Sequence, residues 1–214
     1  LVHHIDKDTS GVLLLARDRV AARHLSRAFQ QQDMEKTYLA LVAGAPPETL
    51  EMRGALLKRG GAGGEMMAVD PEGQPSHSSL RLIEPAGVYM ALVALQPRTG
   101  RTHQLRKHCS EVLKCPILGD KAYGGEDVGS GLFLAALELT FDHPEEEAPV
   151  HVHADAPKKF GDLLAREHER WERLGDEEDG SSRPSSIPTL RTPLRTPRAR
   201  RRRPGGSGIG KRQR

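Results

Sequence analysis

Two cysteines, one tryptophan, three tyrosines and four phenylalanines are spread over 214 residues. So few thiols exclude a disulfide-stapled secreted scaffold and point to a reducing, intracellular compartment, cytoplasmic or organellar. With aromatics at 4% and hydrophobic residues at 36%, the core must be modest and aliphatic. No stretch approaches the ~20 consecutive apolar residues of a membrane-spanning helix, and no secretory signal is present. The first residue is not Met, so the chain reads as a fragment or a processed product. Cys109 and Cys115, taken with His103 and His108, match no standard zinc spacing, so two ordinary thiols and no metal are expected.

Acidic residues are absent from 181–214, which hold 11 Lys and Arg and leave 21 basic against 29 acidic residues in 1–180. The net charge of +3 is therefore a sum of an acidic body and a basic tail. A basic balance overall does not make the body a nucleic-acid binder, and any binding there must rest on a local patch. From Gly175 onward the composition turns acidic and then Ser/Pro/Arg-rich, which cannot bury a core. The expected organisation is a folded domain over 1–174 and a disordered tail over 175–214. The tail is read either as a sequence-independent RNA contact or as a solvated extension.

Within the body, residues 1–16 read as a loop entering a short buried strand, Val12 to Ala16. Asp18 predicts the N-cap of a helix over about 19–33. A strand over 36–42 stops at Gly44 and Pro46-Pro47. Short strands follow over 52–58 and 65–69, then longer ones over 79–83 and 88–95. A helix is predicted over 102–114, ended by Pro116. Strands near 132–141 and 149–154 and a charged helix near 157–173 complete the body. Strands that follow one another without helical crossovers favour an α+β fold, a mixed, mostly antiparallel sheet with flanking helices.

Four stretches carry chemistry. In His3-His4-Ile5-Asp6-Lys7-Asp8-Thr9-Ser10-Gly11, Asp6 is either a turn cap or a carboxylate held at a strand edge as nucleophile or base. Gly100-Arg101-Thr102-His103-Gln104-Leu105-Arg106-Lys107-His108 opens a helix whose first N–H groups face outward to anions. It is either a solvated basic helix start or a place where one Arg turns inward to fork a carboxylate. Tyr38, in Lys36-Thr37-Tyr38, is either core or an aromatic face on which a base stacks. In Pro116-Ile117-Leu118-Gly119-Asp120-Lys121-Ala122-Tyr123-Gly124, Lys121 and Tyr123 face either a ligand or solvent.

Taken together and in this order, the stretches resemble the RluA-type family of RNA pseudouridine synthases over residues 1 to about 155. The resemblance implies an enzyme that isomerises uridine to pseudouridine in structured RNA, rRNA or tRNA, by base flipping and without a cofactor. It implies that Asp6 is the catalytic aspartate, that Tyr38 stacks on the target uracil, and that Arg106 pairs with the aspartate. His4, Arg101, Thr102, His103, Gln104 and Lys121 are then expected to contact the RNA. The implied protein is a monomer with an RNA substrate and no membrane partner.

Three departures bear on these expectations. The family's usual string is His-Arg-Leu-Asp, and its arginine position is His4 here, shorter and mostly neutral at pH 7. Ala135 stands where the family usually has a histidine. The family also has a strand with a Lys-Pro motif tens of residues ahead of the aspartate, whereas this sequence begins at Leu1. Residues 1–214 alone are therefore expected to be poorly stable and impaired in turnover, with the longer parent active. A catalytically silent, RNA-binding relative is the second reading that these departures motivate.

Overall fold

The computed structural model describes residues 1–61, 64–87, 89–146 and 148–175. The basic tail read from the sequence lies outside them. In chain order the described elements are β1 (Ser10–Gly11), α1 (Arg19–Gln31), β2 (Glu35–Ala43), β3 (Thr49–Gly61), β4 (Gly64–Val69), β5 (Gln74–Ala86), β6 (Met90–Pro97), α2 (Gln104–Lys107), β7 (Leu134–Asp142), β8 (Pro149–His153) and α3 (Lys158–Gly175). A π-helical turn, His108–Val112, continues α2.

All eight strands join one sheet in the order β1-β7-β2-β6-β5-β3-β4, with β8 also pairing β7. Every pairing is antiparallel except the short parallel one of β1 with β7. The expected mixed, mostly antiparallel sheet with flanking helices is the architecture found.

β2 and β6 lie at the centre. Leu39–Val42 and Ala91–Leu95 are buried at every consecutive position, so both faces of these strands are covered. α2 and its π continuation give Leu105 and Cys109 to this core. α3 gives Phe160, Leu163 and Leu164, at the i, i+3, i+4 spacing of one helical face. A second cluster, Leu25, Met34, Leu139 and Phe141, lies under α1, which Asp18 caps by accepting from the Val20 and Ala21 N–H groups at 2.8 Å.

Two expectations are corrected. Val12 to Ala16 is not a buried strand. Val12, Leu14 and Ala16 pack on the second cluster, while Leu13 and Leu15 are 45% and 63% exposed. Strict alternation marks an extended segment buried on one side only, and β1 itself spans just two residues. The helix predicted over 102–114 is also not one regular helix. Its α-helical part is four residues, followed by the π turn closed by Leu113 N–H on the His108 carbonyl at 2.9 Å. His108 is fully buried and held by both ring nitrogens to β5, and Lys114 then ends the segment at φ 61°.

Candidate active site

The loop that carries Asp6 is fixed from both ends. The Thr9 N–H donates to the Asp6 carbonyl at 2.9 Å, closing a turn. Beyond it, Gly11 runs so close to β7 that a Cβ there would lie 2.0 Å from the Ala136 carbonyl oxygen, and its φ is +109°. Only glycine fits such an approach. Before it, His3 stacks on Phe29 at 4.4 Å and its Nε2 accepts from the Leu14 N–H at 2.9 Å. That bond requires a neutral ring, and burial, with Lys36 and His4 nearby, lowers the His3 pKa to about 4. Asp6 therefore stands at the lip of the sheet, with its side chain 22% exposed. Thr9, in the same loop, buries a hydroxyl that has no partner among the described residues.

β2 supplies Lys36 and Tyr38, two residues apart and so on one face. Between Thr37 and Tyr38 the β2–β7 register slips by one, leaving Leu137 as the extra residue on β7. Such a bulge re-aims side chains locally. Burial, and secondarily the Asp6 charge, push the Tyr38 hydroxyl up to about 12, so its ring is neutral at every physiological pH. Lys36 makes no ion pair among the described residues, and burial lowers its pKa.

The segment 99–104 is shaped by Gln104. Its Oε1 accepts from Thr99 Oγ1 at 2.6 Å and from the Arg101 N–H at 3.0 Å. Its Nε2 donates to the His77 carbonyl at 3.0 Å and to Ser78 Oγ at 2.9 Å. Ser78 Oγ then faces His108 Nδ1 at 3.1 Å, and His108 Nε2 meets Ser76 Oγ at 2.7 Å. Ser76 Oγ donates to the Gly54 carbonyl, which makes Nε2 the donor and Nδ1 the acceptor of a neutral ring. Burial, with His77 adding to it, lowers the His108 pKa to about 4. Gln104 is thus a buried support of the loop, its amide fully engaged inside the protein. The Arg101 N–H is engaged with it as well.

Arg106 is the inward-turned arginine that the sequence allowed. Its Nε and one terminal nitrogen fork Asp120 at 2.8 and 2.6 Å, both side chains buried. Its other terminal nitrogen is 3.8 Å from the Asp6 carboxylate. The expectation that Arg106 pairs with Asp6 is thereby refined, because the fork belongs to Asp120 and Asp6 receives the remaining edge. Tyr123 packs beneath, its ring 5.1 Å from the Arg106 guanidinium and 4.8 Å from the Lys107 ammonium. The Tyr123 hydroxyl accepts from the Met67 N–H at 3.0 Å and shares a hydrogen bond of 2.7 Å with His103 Nδ1.

One open pocket of about 740 Å³ is lined by Asp6, Thr9, Lys36, Tyr38 and the loop from Thr99 to Leu105, with Arg106 touching it through Asp6. His4 is exposed on its rim, beside Asp6. Arg101, Thr102 and His103 line it, with the Arg101 Nε also donating to the Pro75 carbonyl at 3.2 Å. Lys121 does not join them: it is 72% exposed and pairs with Asp127 at 2.7 Å. Asp120 and Lys36 were given no role from the sequence. An aspartate inside an otherwise apolar Pro-Ile-Leu-Gly-Asp run is the signal that marks Asp120. Ala135 is fully buried, facing Ser10 and Leu39 in the register.

The fold is shared with solved pseudouridylate synthase domains. A solved structure of human RNA pseudouridylate synthase domain containing 1 superposes with a TM-score of 0.62 and 32% identity, covering 72% of this chain and 67% of that one. Human RNA pseudouridylate synthase domain containing 4 gives a TM-score of 0.66 and 27% identity over 78% of this chain and 75% of that one. The family model for RNA pseudouridylate synthase matches residues 1–111, and the chain belongs to that family. Among curated relatives, the ribosomal large subunit pseudouridine synthase C of Vibrio cholerae is 37% identical over 163 residues, 72% of this chain and 50% of that protein. The chain spans about half the length of the curated relatives it matches.

Proposed function

We propose that the chain carries the catalytic domain of an enzyme that converts uridine to pseudouridine in structured RNA, with ribosomal RNA the first candidate and tRNA the second. The names of its relatives favour the ribosomal substrate. One observation carries the reading: Asp6 and Tyr38 line one pocket large enough for a nucleotide, and the free edge of Arg106 reaches the Asp6 carboxylate at 3.8 Å.

The chemistry asks for little more than this. The uracil N1–C1′ bond breaks, the base turns, C5 bonds to C1′, and the proton displaced from C5 is matched by one gained at N1. The reaction is an isomerisation, with no electron or group supplied from outside. Asp6 serves either as the nucleophile at C1′ or as the base at C2′. Arg106, anchored by Asp120, orients that carboxylate and sets a cation beside it. Tyr38 offers a neutral aromatic face on which the freed uracil stays stacked while it turns. Extruding the nucleotide costs about a few kcal/mol, and His4 is placed at the rim to occupy the space it leaves.

The test is incubation with uridine-containing fragments of ribosomal RNA and tRNA, followed by detection of pseudouridine. The expected result is product from the native sequence and none from Asp6→Asn, with RNA still bound. Product that survives Asp6→Asn would overturn the assignment of the aspartate, and RNA binding without product from both residues 1–214 and a longer chain that contains them would overturn the enzymatic reading.

A further inference from the structure

Helix α1 carries Arg19, Arg23 and Arg27, four residues apart and all exposed. At about 1.5 Å per residue and 3.6 residues per turn they form one row roughly 12 Å long. No acidic residue lies between 19 and 31, and none of the three arginines forms an ion pair among the described residues. The row stands out because residues 1–180 carry 21 basic against 29 acidic residues.

Helix stability does not account for this row. Like charges four apart destabilise a helix by about 0.2–0.5 kcal/mol per pair. Arg19 and Arg23 sit near the N-terminal end, where the macrodipole disfavours cations, and the last turn has no basic residue at all. The sequence thus places its arginines against every local preference, which fits a surface shaped by an external anion.

Position tells which anion. On the helix wheel Gln30 falls within the arginine row and Ser26 directly beside it, and both line the pocket that holds Asp6. The row is therefore continuous with the pocket wall. A strand of nucleic acid presents about one phosphate per 3.4 Å, so about three to four phosphates span the row.

We infer that the exposed face of α1 is a phosphate track, along which the RNA backbone flanking the target nucleotide runs as that nucleotide enters the pocket. This rests on the proposed function for the class of partner but concerns a surface outside the reacting group. Arg19, Arg23 and Arg27 bind by charge without reading sequence.

The experiment compares the 214-residue chain with its R19Q/R23Q/R27Q and R166Q/R170Q variants. Arg166 and Arg170 are exposed on α3, away from the track. Binding of an RNA hairpin containing uridine is measured from about 50 to 200 mM salt, where phosphate contacts dominate the affinity. The α1 variant is expected to lower the slope of log Kd against log salt by about two to three, since each lost phosphate contact removes about 0.7–0.9. Its affinity at low salt should fall at least tenfold, while the α3 variant keeps the native slope.

An unchanged slope in the α1 variant, or equal losses in both variants, would overturn the track. Loss of binding to vesicles of anionic lipid, with RNA binding intact, would overturn it in favour of a membrane surface. Binding is read separately from product, so RNA bound along α1 without pseudouridine formation would leave the track standing. A chain that binds no RNA would refute both.

Discussion

Asp120 holds Arg106 by a two-pronged hydrogen bond, at 2.8 and 2.6 Å, and leaves the third guanidinium nitrogen 3.8 Å from Asp6. Asp120 is 1% exposed and also accepts from the Ala122 and Tyr123 N–H groups. The carboxylate that fixes the arginine is thus distinct from the carboxylate the arginine faces. Replacing Asp120 by Asn removes the charge while keeping the shape. A buried guanidinium left without its partner costs about 3–5 kcal/mol. Asp120→Asn is expected to lower the urea midpoint accordingly and to reduce turnover, because Arg106 no longer has a fixed edge. An unchanged midpoint would refute the anchoring role.

Gly11 tests how tightly the Asp6 loop depends on β7. An alanine there takes a positive φ that costs roughly 1–3 kcal/mol. It also drives a methyl into the Ala136 carbonyl, a backbone atom that cannot swing aside. Gly11→Ala is expected to lose stability and turnover together, with Asp6 displaced from the pocket. Thermal melting and single-turnover rates check both, and full activity in this variant would show that the loop tolerates displacement.

Tyr38 carries a different expectation. Tyr38→Ala removes the stacking face, worth about 1–3 kcal/mol per base, so RNA turnover should fall roughly 5- to 150-fold with little loss of fold. Burial and the Asp6 charge push its hydroxyl up to about 12. The pH–rate profile should therefore show no alkaline limb near pH 10 that Tyr38→Phe abolishes.

Stability should fall in mild acid. Unfolded histidine takes up a proton near pH 6.5, whereas folded His3 and His108 do so only near 4. Between those values unfolding is accompanied by proton uptake, so their contribution is complete above about pH 6.5 and is lost as pH drops toward 4. Fully buried His108 contributes at most about 3 kcal/mol to that loss, at about 1.4 kcal/mol per pH unit. Half-buried His3 contributes less, since solvent screens it. Denaturant melts at pH 7 and pH 5 read the difference, and His108→Gln should flatten it.

His4 is exposed at the pocket rim, beside Asp6. A longer, permanently charged side chain should fill the vacated base position better. His4→Arg is expected to raise turnover on duplex-embedded uridine more than on single-stranded uridine. Equal rates on both substrates would remove His4 from the flipping step.

The sequence by itself determined most of the elements and which residue types stand at the candidate site. Asp18 caps α1, Pro46-Pro47 and Pro116 punctuate the chain, and short apolar runs mark the strands β2 and β6. These are local signals, written within a few residues of the structure they produce. Asp6, Tyr38 and the segment from Gly100 to His108 stood out because their residue types combine charge, aromatic surface and backbone freedom in short strings.

Tertiary structure decided what those residues touch. Arg106 meets Asp120 because the loop after the π turn folds back beneath it, and no spacing rule links positions 14 apart across a turn and a loop. Gln104 is drawn inward because β5 offers it Ser78 and the His77 carbonyl. Lys121, in a loop, is drawn outward to Asp127. The helix after Thr102 loses its regular pitch because His108 is tied to β5 by both nitrogens. Local propensity sets which backbone a segment prefers, while burial and pairing with distant strands set where its polar groups find partners.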